Sequence, residues 1–176
     1  MNVTGFVGHA ALTKLAQAMR RPKTRLRIGP HCTVTMLRME EGKVVTGLRG
    51  SATLVVKEEH TAPSIGSGKV RVLATPVMIN LIEAAALAAV EHLLPAGYQS
   101  LGTHLDVRHI AATPVGMSVT ATAEVTRVEG RTVDFRVEAR DEKDLIGDGT
   151  HQRVVVNVAK FDQRVQRKLQ SAGPGS

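Results

Sequence analysis

A single carboxylate lies inside a long apolar stretch of this sequence. Glu83 is the only acidic residue between Thr75 and Val90, and the residues around it (MINLIEAAALAAV) are mostly strong helix formers. A carboxylate in a buried helix is costly unless it is paired or hydrogen-bonded, and such groups often have shifted pKa values and functional roles. Glu83 is therefore a candidate for acid–base chemistry. The alternative is that its carboxylate reaches the rim of the domain and is solvated.

A histidine and a threonine could complete a reactive group, although each has a structural interpretation. His109 alternates with Leu105 and Val107, so the three side chains share the apolar face of a predicted strand. Spacing alone favours a hydrogen-bonded core histidine over a catalytic one. Thr75 directly precedes Pro76, which is typical of an N-cap followed by the first helical residue. Thr75 and His109 therefore need independent support before a catalytic role is assigned.

Two other motifs suggest ligands but do not meet the requirements for them. The segment Gly66–Lys69 (GSGK) resembles a phosphate loop, but Pro63 occupies the place of its first glycine and Val70 the place of its Ser or Thr. His104 and His109 are five residues apart on a strand, so they point to opposite faces and cannot share a metal ion. There is no HExxH motif and no pair of cysteines. We expect neither a metal nor a cofactor.

The strands and helices that position these residues can be predicted from the hydrophobic pattern along the chain. Ser51–Val56 is predicted as a strand, His60–Gly68 as a loop, and the segment from Thr75 to before Pro95 as a helix that is apolar nearly all round and hence buried. Period-two alternation then predicts four antiparallel strands, around 104–109, 119–125, 133–139 and 150–158, before a charged helix over 161–170. One buried helix and one sheet with a single apolar face favour an α+β domain in which the sheet curls round the helix.

Composition limits the possible partners of this domain. The chain has 176 residues, 43% of them hydrophobic, which suits one folded domain. Only 2% are aromatic, so single-stranded nucleic acid would find almost no stacking platforms. The longest apolar run, Val77–Val90, is too short to span a membrane and contains Asn80 and Glu83. We therefore expect neither nucleic acid nor membrane as a partner.

The net charge of +7 belongs entirely to the N-terminal segment. Residues 1–38 contain seven basic and no acidic residues, whereas the remaining residues hold 16 of each sign. This segment is either a flexible or partly helical extension, upstream sequence before a true start at Met39, or an organellar transit peptide. Cys32 is the only cysteine, so no intrachain disulfide can form and a reducing, cytoplasmic location is expected. We predict an extension over 1–38, a domain over 39–160, and a charged helix with a tail over 161–176.

Four segments between Val72 and Val155 resemble the fluoroacetyl-CoA thioesterase family, a branch of the hotdog-fold thioesterases. They read VLATPVMINLIEAA, SLGTHLDVRHIAATPVGMSVTATAEV, VEGR and IGDGTHQR, and they keep the family's spacings. The family has a Thr before its long helix, a Glu eight residues later and a His 26 residues after that. These positions are Thr75, Glu83 and His109 here. The resemblance implies a hotdog fold, with a curled sheet of about five strands around one long helix.

The resemblance also implies a function and further site residues. It suggests hydrolysis of a short-chain acyl-CoA, with Gly102 near the acyl group and Arg153 as a contact for CoA, which is part of the substrate. Glu83 would be the base or the partner of the nucleophile, His109 the proton-handling group, and Thr75 the nucleophile or the residue that positions water. Amides of the first helical turn would hold the oxyanion, and since Pro76 lacks an N–H, Val77 or Met78 would donate.

The resemblance has one clear departure and leaves two alternatives. The fluoroacetyl-specific member has aromatic lid residues nine and six positions before the Thr, where this chain has Gly66 and Lys69. We therefore expect a broader short-acyl specificity. A hotdog dehydratase would act on the same CoA handle, and a non-catalytic acyl-CoA binder would not need Glu83.

Because a bare edge strand invites pairing, we expect a homodimer or an oligomer built from dimers. Thr75 and Glu83 are also too far apart on one continuous helix to meet. Either Thr75 lies in a loop that folds back, or, as we favour, one centre combines residues from two subunits.

Overall fold

A computed structural model describes residues 43–171 of the protein. The predicted N-terminal extension lies outside these residues. The strands are β1 (Arg49–Val55), β2 (Tyr98–His109), β3 (Ser118–Glu129), β4 (Thr132–Asp141) and β5 (Leu145–Asn157). The helices are α1 (Ala62–Ile65), α2 (Thr75–Val90) and α3 (Val158–Ser171), with single 3-10 turns at Glu58–His60 and Glu91–Leu93.

All five strands form one antiparallel sheet in the order β1-β3-β4-β5-β2. Inward-facing side chains alternate along β3 and β4, from Val119 to Val125 and from Val133 to Ala139, and nearly all of them are fully buried. The period-two pattern of the sequence therefore marks the face of the sheet that packs on the helix. Strand β2 lies at one edge, and its outer side has no strand partner within residues 43–171.

Helix α2 packs one side against this sheet. Its buried side chains are Met78, Leu81, Ile82, Ala85, Ala86, Ala89 and Val90. The opposite side is partly exposed, because Asn80, Ala84 and Ala88 reach solvent and Glu83 is only half-buried. The prediction of a helix buried all round is therefore wrong for a single chain. By length and composition Thr75–Leu93 could cross a membrane, but much of it forms the core of this domain.

A glycine sets how closely the sheet approaches this helix. A Cβ atom built on Gly50 of β1 would lie 2.3 Å from the Ala85 carbonyl oxygen and 2.4 Å from the Ala89 nitrogen. Only a residue without a side chain fits there, because both atoms belong to the helix backbone. Gly50 and the small alanines of α2 therefore let the sheet curl tightly around the helix.

The predicted elements are present, and the fold is the predicted hotdog arrangement, but several boundaries differ. The loop predicted over His60–Gly68 contains the short helix α1. Strand β5 begins at Leu145 rather than near residue 150, and β2 begins at Tyr98, because these two strands pair along almost their entire lengths. Helix α3 begins at Val158, directly after β5, whereas the charge pattern predicted a start near residue 161. Backbone pairing and chain continuity, which composition does not report, account for these shifts.

Candidate active site

Thr75 and His109 meet where α2 begins and β2 ends. The Thr75 Oγ1 atom lies 2.8 Å from the His109 Nδ1 atom, within hydrogen-bond distance. Both residues line an open pocket of about 320 Å³, which is completed by Ala62, Ser67, Val72, Leu73, Ile110, Ala111 and Ala112. A hydroxyl, an imidazole and a small pocket with both polar and apolar lining are thus present at one point of the surface. This arrangement suits attack on a small substrate by a nucleophile with an adjacent base.

The start of the helix frees the Thr75 side chain for this contact. Ala74, not Thr75, is the N-cap, and no side chain caps the helix. Thr75 is the first helical residue and Pro76 the second, so the predicted N-cap role of Thr75 is wrong. The Ala74 amide is instead tied to the His60 carbonyl and the Leu73 amide to the Thr113 carbonyl. These backbone bonds fix the first turn without using the Thr75 hydroxyl.

The oxyanion donors expected from the sequence are already engaged. The amides of Val77 and Met78 both donate to the Ala74 carbonyl, at 3.0 and 3.1 Å. The helix begins one residue earlier than expected, which moves both amides into the first hydrogen-bonded turn. Pro76 has no N–H, so the remaining amide of this turn is that of Thr75, which has no hydrogen-bond partner among residues 43–171. The Thr75 N–H is therefore the better candidate for an oxyanion donor.

His109 is in a state that can accept a proton. Burial lowers its pKa, an effect that outweighs the opposite influence of the nearby Ala111 carbonyl. The ring is therefore neutral at pH 7, and with the proton on Nε2 its Nδ1 can accept the Thr75 hydroxyl proton. The buried Nε2 has no hydrogen-bond partner within residues 43–171. No acid of the described chain thus orients this histidine.

The lowered pKa of His109 predicts the acid limb of the pH–rate profile. Protonation removes the acceptor that Thr75 needs, so activity is expected to fall as pH decreases through the pKa of His109. That midpoint should lie below 6.5, the ordinary value for histidine. The measurement is kcat/KM against pH, in a protein shown by circular dichroism to stay folded. An acid limb centred above 6.5 would contradict a buried, neutral His109.

Glu83 belongs to a second polar cluster, farther along α2. Its Oε1 atom lies 3.4 Å from Arg153 Nη1 and 3.8 Å from His151 Nε2. The Glu83 side chain is 36% exposed, whereas those of Arg153 and His151 are 5% and 0% exposed. The carboxylate is thus paired from the protein side and open towards solvent on the other. It is neither a lone buried charge nor a freely solvated one.

Gly102 leaves the space that this carboxylate occupies. A Cβ atom at Gly102 would lie 2.4 Å from Glu83 Oε1 and 3.1 Å from His151 Cε1. The β2 strand has a register shift between Gly102 and His104, so the backbone deviates from regular pairing at this point. The structure therefore places Gly102 against Glu83. Its predicted proximity to an acyl group stays a prediction.

Arg153 anchors the cluster from inside the protein. Its Nε donates to Ser100 Oγ and its Nη2 to the Ser100 carbonyl, each at 2.9 Å, while Nη1 faces Glu83 and His151. Ser100 Oγ in turn donates to Glu91 Oε2 at 2.7 Å. Burial lowers the pKa of Arg153, and the charges of Glu83 and Glu91 oppose that shift. The resemblance implied a contact between Arg153 and CoA, but here the guanidinium bonds protein groups and is almost inaccessible.

The two clusters are separate within one chain. Thr75 and Glu83 are eight residues apart on a continuous helix, about 12 Å at 1.5 Å per residue. Gly102 and His109 are seven residues apart on β2, roughly 23 Å at 3.3 Å per residue. The helix and the strand thus separate the same two clusters. Within one chain, Thr75 contacts His109, and Glu83 contacts Gly102 and Arg153, but the two clusters do not contact each other.

Sequence reasoning did not identify His151, Ser100 and Glu91 as part of the site. A signal was available, because His151, Arg153 and Val155 alternate along β5 and all three are buried. Two polar residues on the buried face of a strand require partners, as a buried carboxylate does. The cluster therefore contains two titratable groups, His151 and Glu91, in addition to the predicted Glu83 and Arg153. No group of three or more His, Cys, Asp or Glu side chains that could hold a metal ion occurs within residues 43–171.

Known proteins resemble this chain in both sequence and structure. The family model described as fluoroacetyl-CoA-specific thioesterase matches residues 56–159. A fluoroacetyl-CoA thioesterase of Streptantibioticus cattleyicolor is 47% identical over 97 residues, which cover 55% of this chain and 70% of that protein. A solved structure of the fluoroacetyl-CoA thioesterase FlK is 39% identical to this chain, with a TM-score of 0.68. The match covers 72% of this chain and 98% of the FlK chain.

A more distant relative shares the same fold. A thioesterase superfamily member of Thermus thermophilus is 30% identical to this chain, with a TM-score of 0.69. The match covers 73% of this chain and 96% of the Thermus thermophilus chain. The family model covers more than half of the chain, including Thr75, Glu83, Gly102, His109 and Arg153. The chain therefore belongs to the fluoroacetyl-CoA-specific thioesterase family of hotdog-fold proteins.

Proposed function

We propose that this protein hydrolyses short-chain acyl-CoA thioesters to the free acid and CoA. The observation that carries the proposal is the Thr75 hydroxyl held 2.8 Å from the His109 ring in an open pocket. Its relatives are fluoroacetyl-CoA thioesterases, and the residues that the family resemblance implies are present in order. The CoA moiety belongs to the substrate, and the chemistry requires no separate cofactor.

The roles of the groups follow from their positions. In the proposed reaction, the Thr75 oxygen, or a water molecule that it positions, attacks the thioester carbonyl while His109 Nδ1 takes the proton. The Thr75 N–H, at the positive end of the α2 dipole, stabilises the oxyanion. The carbon–sulfur bond then breaks, and the CoA thiolate leaves with the proton that His109 has taken. If the Thr75 oxygen is the nucleophile, water then hydrolyses the Thr75 acyl ester, which releases the free acid and restores the hydroxyl. Glu83, which lies about 12 Å from Thr75 along α2 of the same chain, acts from the other subunit as the base that activates water or as the partner of the nucleophile.

We further propose that each centre combines two subunits. Ile79 lies midway between Thr75 and Glu83 on α2, and Leu105 lies near the midpoint between Gly102 and His109 on β2. A two-fold axis near these midpoints would bring Thr75 and His109 of one subunit against Glu83 of the other. Two features support this arrangement: the free outer edge of β2, and the 37% exposure of the apolar residue Leu105 in that strand.

We propose a substrate range broader than fluoroacetyl-CoA. Gly66 and Lys69 stand where the fluoroacetyl-specific member has lid aromatics. Both are exposed in this structure, and the residues that line the pocket beside Thr75 include no aromatic side chain other than the His109 ring. Without bulky lid side chains, nothing in the described loop closes the pocket over a two-carbon acyl group. Acyl groups of two to four carbons should therefore be accepted.

The test is CoA release from a panel of acetyl-, fluoroacetyl-, propionyl- and butyryl-CoA. We expect turnover of several members, with at most a modest preference for fluoroacetyl-CoA. A discrimination of several orders of magnitude would show that the pocket is as selective as a lidded one. Binding without CoA release would favour an acyl-CoA binder. Hydration of a 2-enoyl-CoA without CoA release would favour a dehydratase, and either result would overturn the proposal.

A further inference from the structure

His151 is a buried titratable group that the proposed mechanism does not use. Its side chain is 0% exposed, and its ring stacks on Phe135 of β4 with centroids 6.1 Å apart. Its Nδ1 atom lies 2.9 Å from the His104 carbonyl oxygen on β2, and its Nε2 atom lies 3.1 Å from Arg153 Nη1. Every polar atom of the ring therefore has one protein partner.

These partners determine the protonation of the ring. The His104 carbonyl can only accept, so Nδ1 must carry a proton and donate it. The Arg153 Nη1 atom can only donate, so Nε2 must be bare and accept. A proton on Nε2 would point at another N–H donor, and Glu83 Oε1 is 3.8 Å away, beyond hydrogen-bond distance.

The surrounding charges agree with a neutral ring. Burial lowers the pKa of His151, and Arg153 lowers it further, whereas the His104 carbonyl and Glu83 act in the opposite direction. On β4, the Asp134 carboxylate accepts a hydrogen bond from Gln152. The side chain of His104 on β2 is exposed. The two groups that hydrogen-bond the ring, the His104 carbonyl and Arg153, thus both require the Nδ1–H tautomer.

We propose that His151 is a positioning residue for thioester hydrolysis: by accepting one N–H of Arg153, it fixes the guanidinium that holds the Glu83 carboxylate. This inference rests on the proposed function for its catalytic consequence. Arg153 Nη1 has two N–H groups, of which one is directed to His151 and the other to Glu83. Ser100 holds the Nε and Nη2 side of the planar guanidinium. Without the acceptor at His151, the whole group can tilt about these two contacts, which moves Nη1 away from the Glu83 carboxylate.

Two substitutions separate this role from a purely structural one. In His151→Gln, the side-chain oxygen can reach the position of Nε2 and accept from Arg153, but the bond to the His104 carbonyl is lost. In His151→Asn, the shorter amide can still donate to the His104 carbonyl, but nothing reaches Arg153. We expect His151→Asn to lower kcat by about 10- to 100-fold with little change in KM, because a displaced catalytic group costs rate rather than binding. His151→Gln should retain most of kcat.

The proposal is tested by which of the two variants has the higher kcat. If His151→Asn is as active as His151→Gln, or more active, the bond to His104 matters and the positioning role is wrong. A second measurement does not depend on the folding of variants. Nitrogen-15 NMR of histidine-labelled wild-type protein should show one ring that stays in the neutral Nδ1–H tautomer between pH 6.5 and 9. A His151 ring that titrates in this range, or carries its proton on Nε2, would overturn the inference. The NMR result stands even if no acyl-CoA is hydrolysed, so the two proposals can fail separately.

Discussion

Glu83→Gln is expected to lower kcat by about 10²- to 10⁴-fold, the range for loss of a general acid–base group. Glutamine has nearly the same shape, and its oxygen can still accept from Arg153, which lies 3.4 Å from Glu83 Oε1. The substitution therefore removes the charge and the basicity while it preserves most of the packing. The measurement is steady-state CoA release from the best substrate of the panel.

Glu129→Gln is the matched control for this variant. Glu129 ends β3 at the exposed turn before β4, where it pairs with Arg127 and makes no hydrogen bond or ion pair with either cluster within residues 43–171. The same chemical change there should leave kcat unaltered. A Glu83→Gln enzyme with wild-type kcat would show that the carboxylate has no part in the reaction.

Gly102→Ala should also abolish most of the activity, by displacing the carboxylate rather than removing it. The added Cβ atom would lie 2.4 Å from Glu83 Oε1, so one of the two groups must move. The flexible end of Glu83 moves more easily than the backbone of β2, which pairs with β5 on both sides of this point. A displacement of about 1 Å at a catalytic group can cost about 100-fold in rate.

A double-mutant cycle identifies the cause of this loss. In a Glu83→Ala background there is no carboxylate for the new methyl group to displace. Gly102→Ala should then cause little further loss of kcat, and the two effects should be strongly non-additive. Equal losses in both backgrounds would mean that Gly102 acts independently of Glu83, for instance through direct contact with the acyl group.

The sequence predicted the fold well because hydrophobic periodicity carries that information. The alternation of Val133, Phe135, Val137 and Ala139 identified the buried face of β4, and the apolar run around Glu83 identified the central helix. The structure also brings Thr75 and His109, which the family resemblance grouped, into contact, while their catalytic roles stay a prediction. That grouping came from family spacing, since nothing local in the sequence links residues 34 positions apart.

Hydrogen-bond assignment was less predictable. Thr75 was expected to cap the helix, and Val77 and Met78 to donate to an oxyanion. The helix starts one residue earlier, because the His60 and Thr113 carbonyls fix the backbone of Ala74 and Leu73. These partners come from distant loops, so no local pattern reveals them.

The network around Arg153 was missed for a related reason. Its partner Ser100 lies 53 residues away in the sequence and meets it only through the pairing of β2 with β5.

The most direct test of the account is a mixture of two inactive chains. Thr75→Ala and Glu83→Gln subunits with different affinity tags are co-expressed, and the heterodimer is purified through both tags. If each centre combines Thr75 of one subunit with Glu83 of the other, the heterodimer contains one intact centre and one doubly mutated centre.

Half of the wild-type turnover per dimer is therefore predicted, against almost none in either homodimer. A verified heterodimer with no recovered activity would contradict the shared centre.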